Sequence, residues 1–423
     1  MIHKLKPKSE FSRNVLTLIT GTTIAQAIPI AISPILTRLY TPEDFGVFAL
    51  YMSIASIISV IATGQYELAI MLPKKDEDAL NIVALSITIS FFVSFISFLI
   101  VFFFNSQITA LLGNSEISNW LYFIPISVLL TGIYQSFNYW SNRRKQYKRL
   151  STSRVIQSGT TATTNLGMGF AGFGSSGLIL GGVLGQGMGT SVLGRLILKE
   201  DRDKLKSIKI VKMFALSKRY LNFPKITLPH SVFSTMTGQL PIFIISYYFS
   251  SRETGFYSFA YKIVMLPIGL ISNAYYQVFF ESFSKEQYKE RFLKQKFKQI
   301  NIIFLPLFIL LWFVLPDIFS FVFGSDWKIA GSYTQALLPL FYLKFISNLF
   351  TTTIYIYYEK QFENFMLGIL ISGMTLISLL IGAYYKDILL GLILMSITNG
   401  SVIFYKLYRS FIFVKKHRRL QCK

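Results

Sequence analysis

Three ionisable side chains stand where a chain this apolar should not hold them. Lys344 lies near the middle of an apolar run at 333–357, and Lys262 about two turns inside another at 255–279. Glu67 lies about one turn from the end of a third at 45–71. An ionised group at the bilayer centre costs about 2.5–3.5 kcal/mol on insertion scales, so such residues face a wet cavity or a partner. Arg38 and Arg195 fall close to the ends of their runs, where reaching out to the interface is the blander account. The blander account of Glu67 is a pair with a nearby cytoplasmic base. The balance inside the runs is cationic, and a surface lined by Lys and Arg suits an anionic ligand such as a phosphate or pyrophosphate group. If a titrating side chain within the runs drives a cycle, Glu67 and His230 are the candidates.

The elements that must position these residues are membrane helices. Apolar residues make up 52% of the 423 and charged ones only 15%, against roughly 25% charged in a soluble domain. Twelve apolar segments emerge, at 14–37, 45–71, 79–104, 119–140, 154–173, 177–198, 223–248, 255–279, 299–316, 333–357, 363–384 and 387–406. Each is predicted to be a helix, because a lone strand in lipid leaves its backbone unsatisfied. The expected fold is therefore an all-α membrane protein of about twelve transmembrane helices.

The net charge of +22 would point to nucleic acid in a soluble protein. Here it follows the loops. With the N-terminus inside, thirty-five Lys and Arg fall on inside segments and four (Arg38, Arg252, Lys328, Lys386) on outside loops. That asymmetry predicts both termini in the cytoplasm and needs no nucleic acid. The basic start, MIHKLKPKSEFSRN, precedes a run too long for a signal peptide and is read as leading into a retained helix. A single cysteine, Cys422, permits no internal disulfide.

Two polar islands repeat. Aligning Gly46 with Gly255 lays EDFGVFALY over RETGFYSFA. Near the same offset LLGNSEISNW (111–120) faces FVFGSDWKIA (321–330), and Pro125 and Pro339 fall early in the helices that follow. These echoes predict two six-helix lobes of the same topology, related by a pseudo-two-fold axis along the membrane normal. The lobes are expected at 1–198 and 223–423. A linker at 199–222 joins them, where apolar and basic residues segregate at helical spacing as in a helix lying on the inner membrane surface. Prolines at 29 and 34, and at 229 and 241, match the broken helices of transporters.

No catalytic constellation is present. His3, His230 and His417 are far apart, there is no cysteine pair, and no phosphate-binding loop of the G-x-x-x-x-G-K-[ST] type occurs. Gly177, Gly181, Gly185 and Gly189 are spaced by four and predict a close helix approach. No cofactor and no metal is expected.

The stretches RLYTPEDFGVFALY, YELAIMLPKKDEDA, SNRRKQYKRLSTSRVIQSG, TGFYSFAYKIVMLPIGLISNAYYQVFF and FGSDWKIAGSYTQALLP resemble bacterial oligosaccharide flippases. These are the O-antigen or capsule repeat-unit translocases of the multidrug/oligosaccharidyl-lipid/polysaccharide superfamily. The resemblance implies movement of an undecaprenyl-pyrophosphate-linked oligosaccharide from the inner to the outer leaflet of the bacterial cytoplasmic membrane. It implies alternating access around a cationic cavity, for which Lys262, Lys344, Arg38, Gln65 and Glu67 are the candidates. Energy coupling is open, with proton or Na+ as the ions to consider. Membrane lipid, a polysaccharide polymerase and other assembly proteins are the implied partners. The sequence departs from the pattern at Gln65 and Lys262, where relatives often carry Arg; the lysine keeps charge but loses bidentate phosphate binding. A lipid II or teichoic-acid-type flippase and an ion-coupled multidrug or small-molecule exporter are the alternatives. The exporter would favour acids inside the runs, of which Glu67 is the clear one. The short outside loops argue against a membrane enzyme.

Overall fold

The computed structural model of the chain describes residues 10–421. His3 and Cys422 lie outside them, as do the first and last residues on which the placement of the termini would be judged. Among the described residues there is no strand. Thirteen helices carry the architecture: α1 Glu10–Leu39, α2 Pro42–Ile61, α3 Asp76–Leu112, α4 Ile124–Arg143, α5 Tyr147–Phe170, α6 Ser175–Glu200, α7 Ile210–Arg219, α8 Leu228–Tyr248, α9 Ser251–Lys285, α10 Lys289–Phe323, α11 Lys328–Tyr357, α12 Gln361–Tyr384 and α13 Ile388–Gln421. Each of the twelve apolar segments falls largely within one helix other than α7. Among the described residues, eight helices are long and apolar enough to cross a membrane. A ninth span is possible by length if α4 is joined to the short helix before it, across a bend of 51°. The chain packs as two units, Met1–Gln239 and Leu240–Lys423.

In the first unit, the glycine stripe is where α5 and α6 meet. A methyl on Gly185 would sit 2.8 Å from the carbonyl oxygen of Gln157, and one on Gly189 2.9 Å from the Gln157 Cβ. Such contact distances leave no room for a side chain. Gly185→Leu should therefore lower the melting temperature of the purified protein, with overpacking worth about 1–3 kcal/mol. Gly187→Ala, whose methyl meets only Leu130 at 3.7 Å, should leave it unchanged; equal melting of both variants would contradict the packing. A serine stripe does the same work between α3 and α4, where Ser90 abuts Gly132 and Ser94 donates to the Pro125 carbonyl at 2.7 Å.

The prolines of α1 do not break it. A proline at i leaves the carbonyl of i−4 without its helical donor. Ser158 of α5 supplies one to Ala25, four before Pro29, at 2.5 Å. Ser33 supplies one to Ile30, four before Pro34, at 2.6 Å. With both acceptors satisfied the helix runs through, and the expectation of a broken first helix is corrected. The break falls instead in the second apolar segment, after Ile61.

The sequence echoes reappear as local geometry. Thr41 caps α2, its hydroxyl accepting from the Asp44 amide at 3.2 Å while the Asp44 carboxylate accepts from the Thr41 amide at 2.9 Å. Ser250 caps α9 in the same register, accepting from the Glu253 amide at 3.2 Å. LLGNSEISNW and FVFGSDWKIA each contain one 3-10 turn, Ser115–Ile117 and Ser325–Trp327. In the second unit these residues close an aromatic core. Trp327 packs against Phe259 with ring centres 4.5 Å apart and edge-on to Phe256 at 5.7 Å, all three buried.

Candidate functional site

In the first unit, chemistry gathers where α2 ends. Gly64 and Gln65 take successive left-handed conformations, both with φ of 61°. The glycine does so freely, whereas the glutamine is strained there by roughly 1–3 kcal/mol. A 3-10 turn, Tyr66–Met71, follows. The turn aims Glu67 inward, where it is 7% exposed. The Thr63 hydroxyl donates to its carboxylate. Among the described residues Glu67 has no basic partner, so the pairing expected for it is absent. Gln65 is held by its own amide donating to the Val60 carbonyl at 3.1 Å and by Ser231, next to His230, whose hydroxyl lies 3.5 Å from its oxygen. His230 itself is exposed.

Twenty residues of α2 span about 30 Å, so Glu67 lies beyond the end of that span. Burial pushes its carboxyl above the ordinary value, against the lowering effect of the Thr63 bond and of a backbone hydrogen bond. A carboxyl raised in the folded state stabilises most below its unfolded value, and that contribution is lost as pH rises through the folded value. Glu67→Gln should therefore melt like the wild type in acid and higher than it, by a few degrees, at pH 8. A constant difference across pH would contradict the buried acid.

Below this turn lies a network that sequence reasoning missed. The Asp76 carboxylate, at the start of α3, binds Arg143 at 3.2 Å, Arg144 at 2.8 Å and Lys204 at 2.8 Å. Asp201, past the end of α6, binds Arg149 at 2.9 Å and accepts from the Trp140 indole at 3.1 Å. The Arg149 guanidinium reaches Glu200 as well, its Nε at 2.8 Å. These arginines read as a solvated cytoplasmic loop, because their acids stand some fifty or more residues away. The network also holds α7: Lys212 pairs with Glu77 at 3.1 Å, and the Tyr66 hydroxyl donates to the Ser217 carbonyl at 3.0 Å.

In the second unit, Lys262 and Lys344 stand on α9 and α11, which pack together. The Lys344 ammonium lies 5.3 Å from the ring centre of Tyr261, the residue before Lys262. Tyr261 in turn packs edge-on to Phe341 at 5.6 Å. A lysine over an aromatic face is held by the ring quadrupole while its charge stays available to an anion. Lys262 is exposed at the surface of its unit. A cavity of about 800 Å³ between α10, α11 and α13, lined by Trp312, Gln335, Pro339, Leu343, Ser396 and Phe404 among others, has neither lysine in its wall. Of the remaining candidates, Arg38 is exposed and donates to the Pro34 carbonyl at 2.5 Å, and Arg195 is exposed on α6.

Residues 35–331 match the family model described as "Polysaccharide biosynthesis protein". No curated protein matches the chain. Among solved structures, the fold is similar to the lipid II flippase MurJ in an inward closed conformation, with a TM-score of 0.74 at 14% identity over 95% of this chain and 89% of that one. It is similar to an inward-facing multidrug resistance MATE transporter of the MOP superfamily, with a TM-score of 0.68 at 14% identity over 94% and 96%. It is also similar to a MOP superfamily transporter from Pyrococcus furiosus, with a TM-score of 0.63 at 14% identity over 98% of each.

Proposed function

Because the chain belongs to the polysaccharide biosynthesis protein family, we propose that it is a transporter that flips a lipid-linked oligosaccharide from the inner to the outer leaflet of the bacterial cytoplasmic membrane. The carrier in this reading is undecaprenyl pyrophosphate, and the product feeds O-antigen, capsule or a related surface polysaccharide. The observation that carries it is the placement of Lys262 and Lys344 on two packed, otherwise greasy helices, with Lys344 against Tyr261. Two ammonium groups supply point charges for a phosphoryl headgroup, and tyrosine faces suit sugar rings. Glu67, buried and without a basic partner among the described residues, is the proton-coupling candidate, and His230 the second. The polymerase that extends the repeat unit is the expected partner, and both termini are placed in the cytoplasm.

Deletion of the gene tests the reading. Surface polysaccharide should be lost, and lipid-linked repeat units should accumulate on the cytoplasmic leaflet. Units found already delivered to the outer leaflet in the deletion strain would refute it.

A further inference from the structure

The second unit holds another cationic cluster that the proposed transport reading does not use. Lys406 lies on α13, eighteen residues after its start, about 27 Å along the helix and toward the end that carries Lys415 and Lys416. Its ammonium sits 5.6 Å from the ring centre of Tyr355 on α11. Among the described residues that ammonium has no carboxylate, carbonyl or hydroxyl partner. Tyr355 is 1% exposed, and its hydroxyl makes no hydrogen bond. A buried donor left unsatisfied is costly and uncommon in a folded protein.

The surroundings continue the pattern. Phe413 packs edge-on to Tyr355 at 5.4 Å, and the Arg409 guanidinium lies 5.0 Å from the Phe413 ring centre. Arg409 spends Nε and Nη2 on Glu363, at 2.8 and 3.0 Å, and its Nη1 keeps no partner among the described residues. An ammonium, a phenol hydroxyl and a guanidinium N–H here all lack an acceptor, and phosphoryl oxygens supply that acceptor.

We propose that Lys406, Tyr355 and Arg409 form a phosphoryl-binding site at this end of the second unit. The phosphoryl group comes either from an anionic phospholipid headgroup or from a free anion such as pyrophosphate. The site stands apart from Lys262 and Lys344 and does not depend on the role proposed for them.

Native mass spectrometry of the full-length protein, titrated separately with phosphatidylglycerol, phosphatidylcholine and sodium pyrophosphate, tests this. A saturable adduct is expected with phosphatidylglycerol or pyrophosphate, and none with phosphatidylcholine alone. Binding to phosphatidylglycerol only assigns the lipid headgroup, and binding to pyrophosphate only assigns the free anion. Lys406→Ala should weaken that adduct about tenfold or more, as loss of a charge-assisted hydrogen bond does, and Lys406→Arg should retain it. Tyr355→Phe should weaken it several-fold with no drop in melting temperature, because the hydroxyl has no internal bond to lose. No saturable adduct with either anion, or one unchanged in folded Lys406→Ala and Tyr355→Phe proteins, would overturn the site.

Discussion

Lys262→Ala and Lys344→Ala each cut surface polysaccharide by roughly ten- to a hundredfold while the protein stays in the membrane at wild-type abundance. The magnitude is that of one charge-assisted contact to a phosphate, about 1.5–3 kcal/mol. Lys344 rests on Tyr261, an interaction worth about 0.5–2 kcal/mol, so its removal costs the fold little. Abundance therefore separates loss of binding from loss of folding. Lys262→Arg should preserve activity if charge is what the position supplies. Tyr261→Leu should act through Lys344, giving a smaller defect that Lys344→Ala does not deepen. Quantifying cell-surface polymer beside immunoblots of membrane fractions decides the matter. Normal polymer in both lysine variants would remove these residues from the path.

The second large effect lies in the ion network. Arg149→Ala removes one member of a pair in which both side chains are almost fully covered, 5% and 2% exposed. Breaking such a pair costs about 3–5 kcal/mol where the charge left behind has neither water nor a partner. Asp201 would keep Arg144 at 3.6 Å and the Trp140 indole, which places the expected loss at the lower end. The variant should melt several degrees lower and accumulate poorly. Arg149→Met combined with Asp201→Leu should regain part of the stability. It should not regain all of it, since Trp140 is then left with a buried N–H and no acceptor. Thermal unfolding in detergent measures this, and a single variant as stable as the wild type would show that the pair contributes nothing.

Much of this architecture was legible in the residues. Hydropathy alone located the segments that became long helices, because satisfying the backbone in lipid leaves no other element available. The four-residue spacing of Gly177 to Gly189 announced the contact of α6 with α5, since only a glycine face admits a neighbouring backbone so closely. The echo of Thr41 to Gly46 in Ser250 to Gly255 pointed to two helix starts built alike.

What stayed hidden depends on residues distant in sequence. Nothing around Pro29 reveals that Ser158, on another helix, takes up the carbonyl it frees, so a break was expected where the helix runs on. Arg143, Arg144 and Arg149 read as loop charges because Asp76 and Asp201 come from other helices. The inward turn of Glu67 follows from two consecutive left-handed residues. Gly64 hints at them, but Gln65 gives no local sign.

Transport itself is read most directly in vesicles. The purified protein is reconstituted with a polyprenyl-pyrophosphate oligosaccharide, and a membrane-impermeant lectin reports the fraction of glycan exposed on each face over time. Exposure should equilibrate faster across vesicles holding the wild-type protein than across those holding the Lys262→Ala, Lys344→Ala double variant or no protein. Equal rates in all three, with the protein folded and correctly inserted, would contradict the assignment.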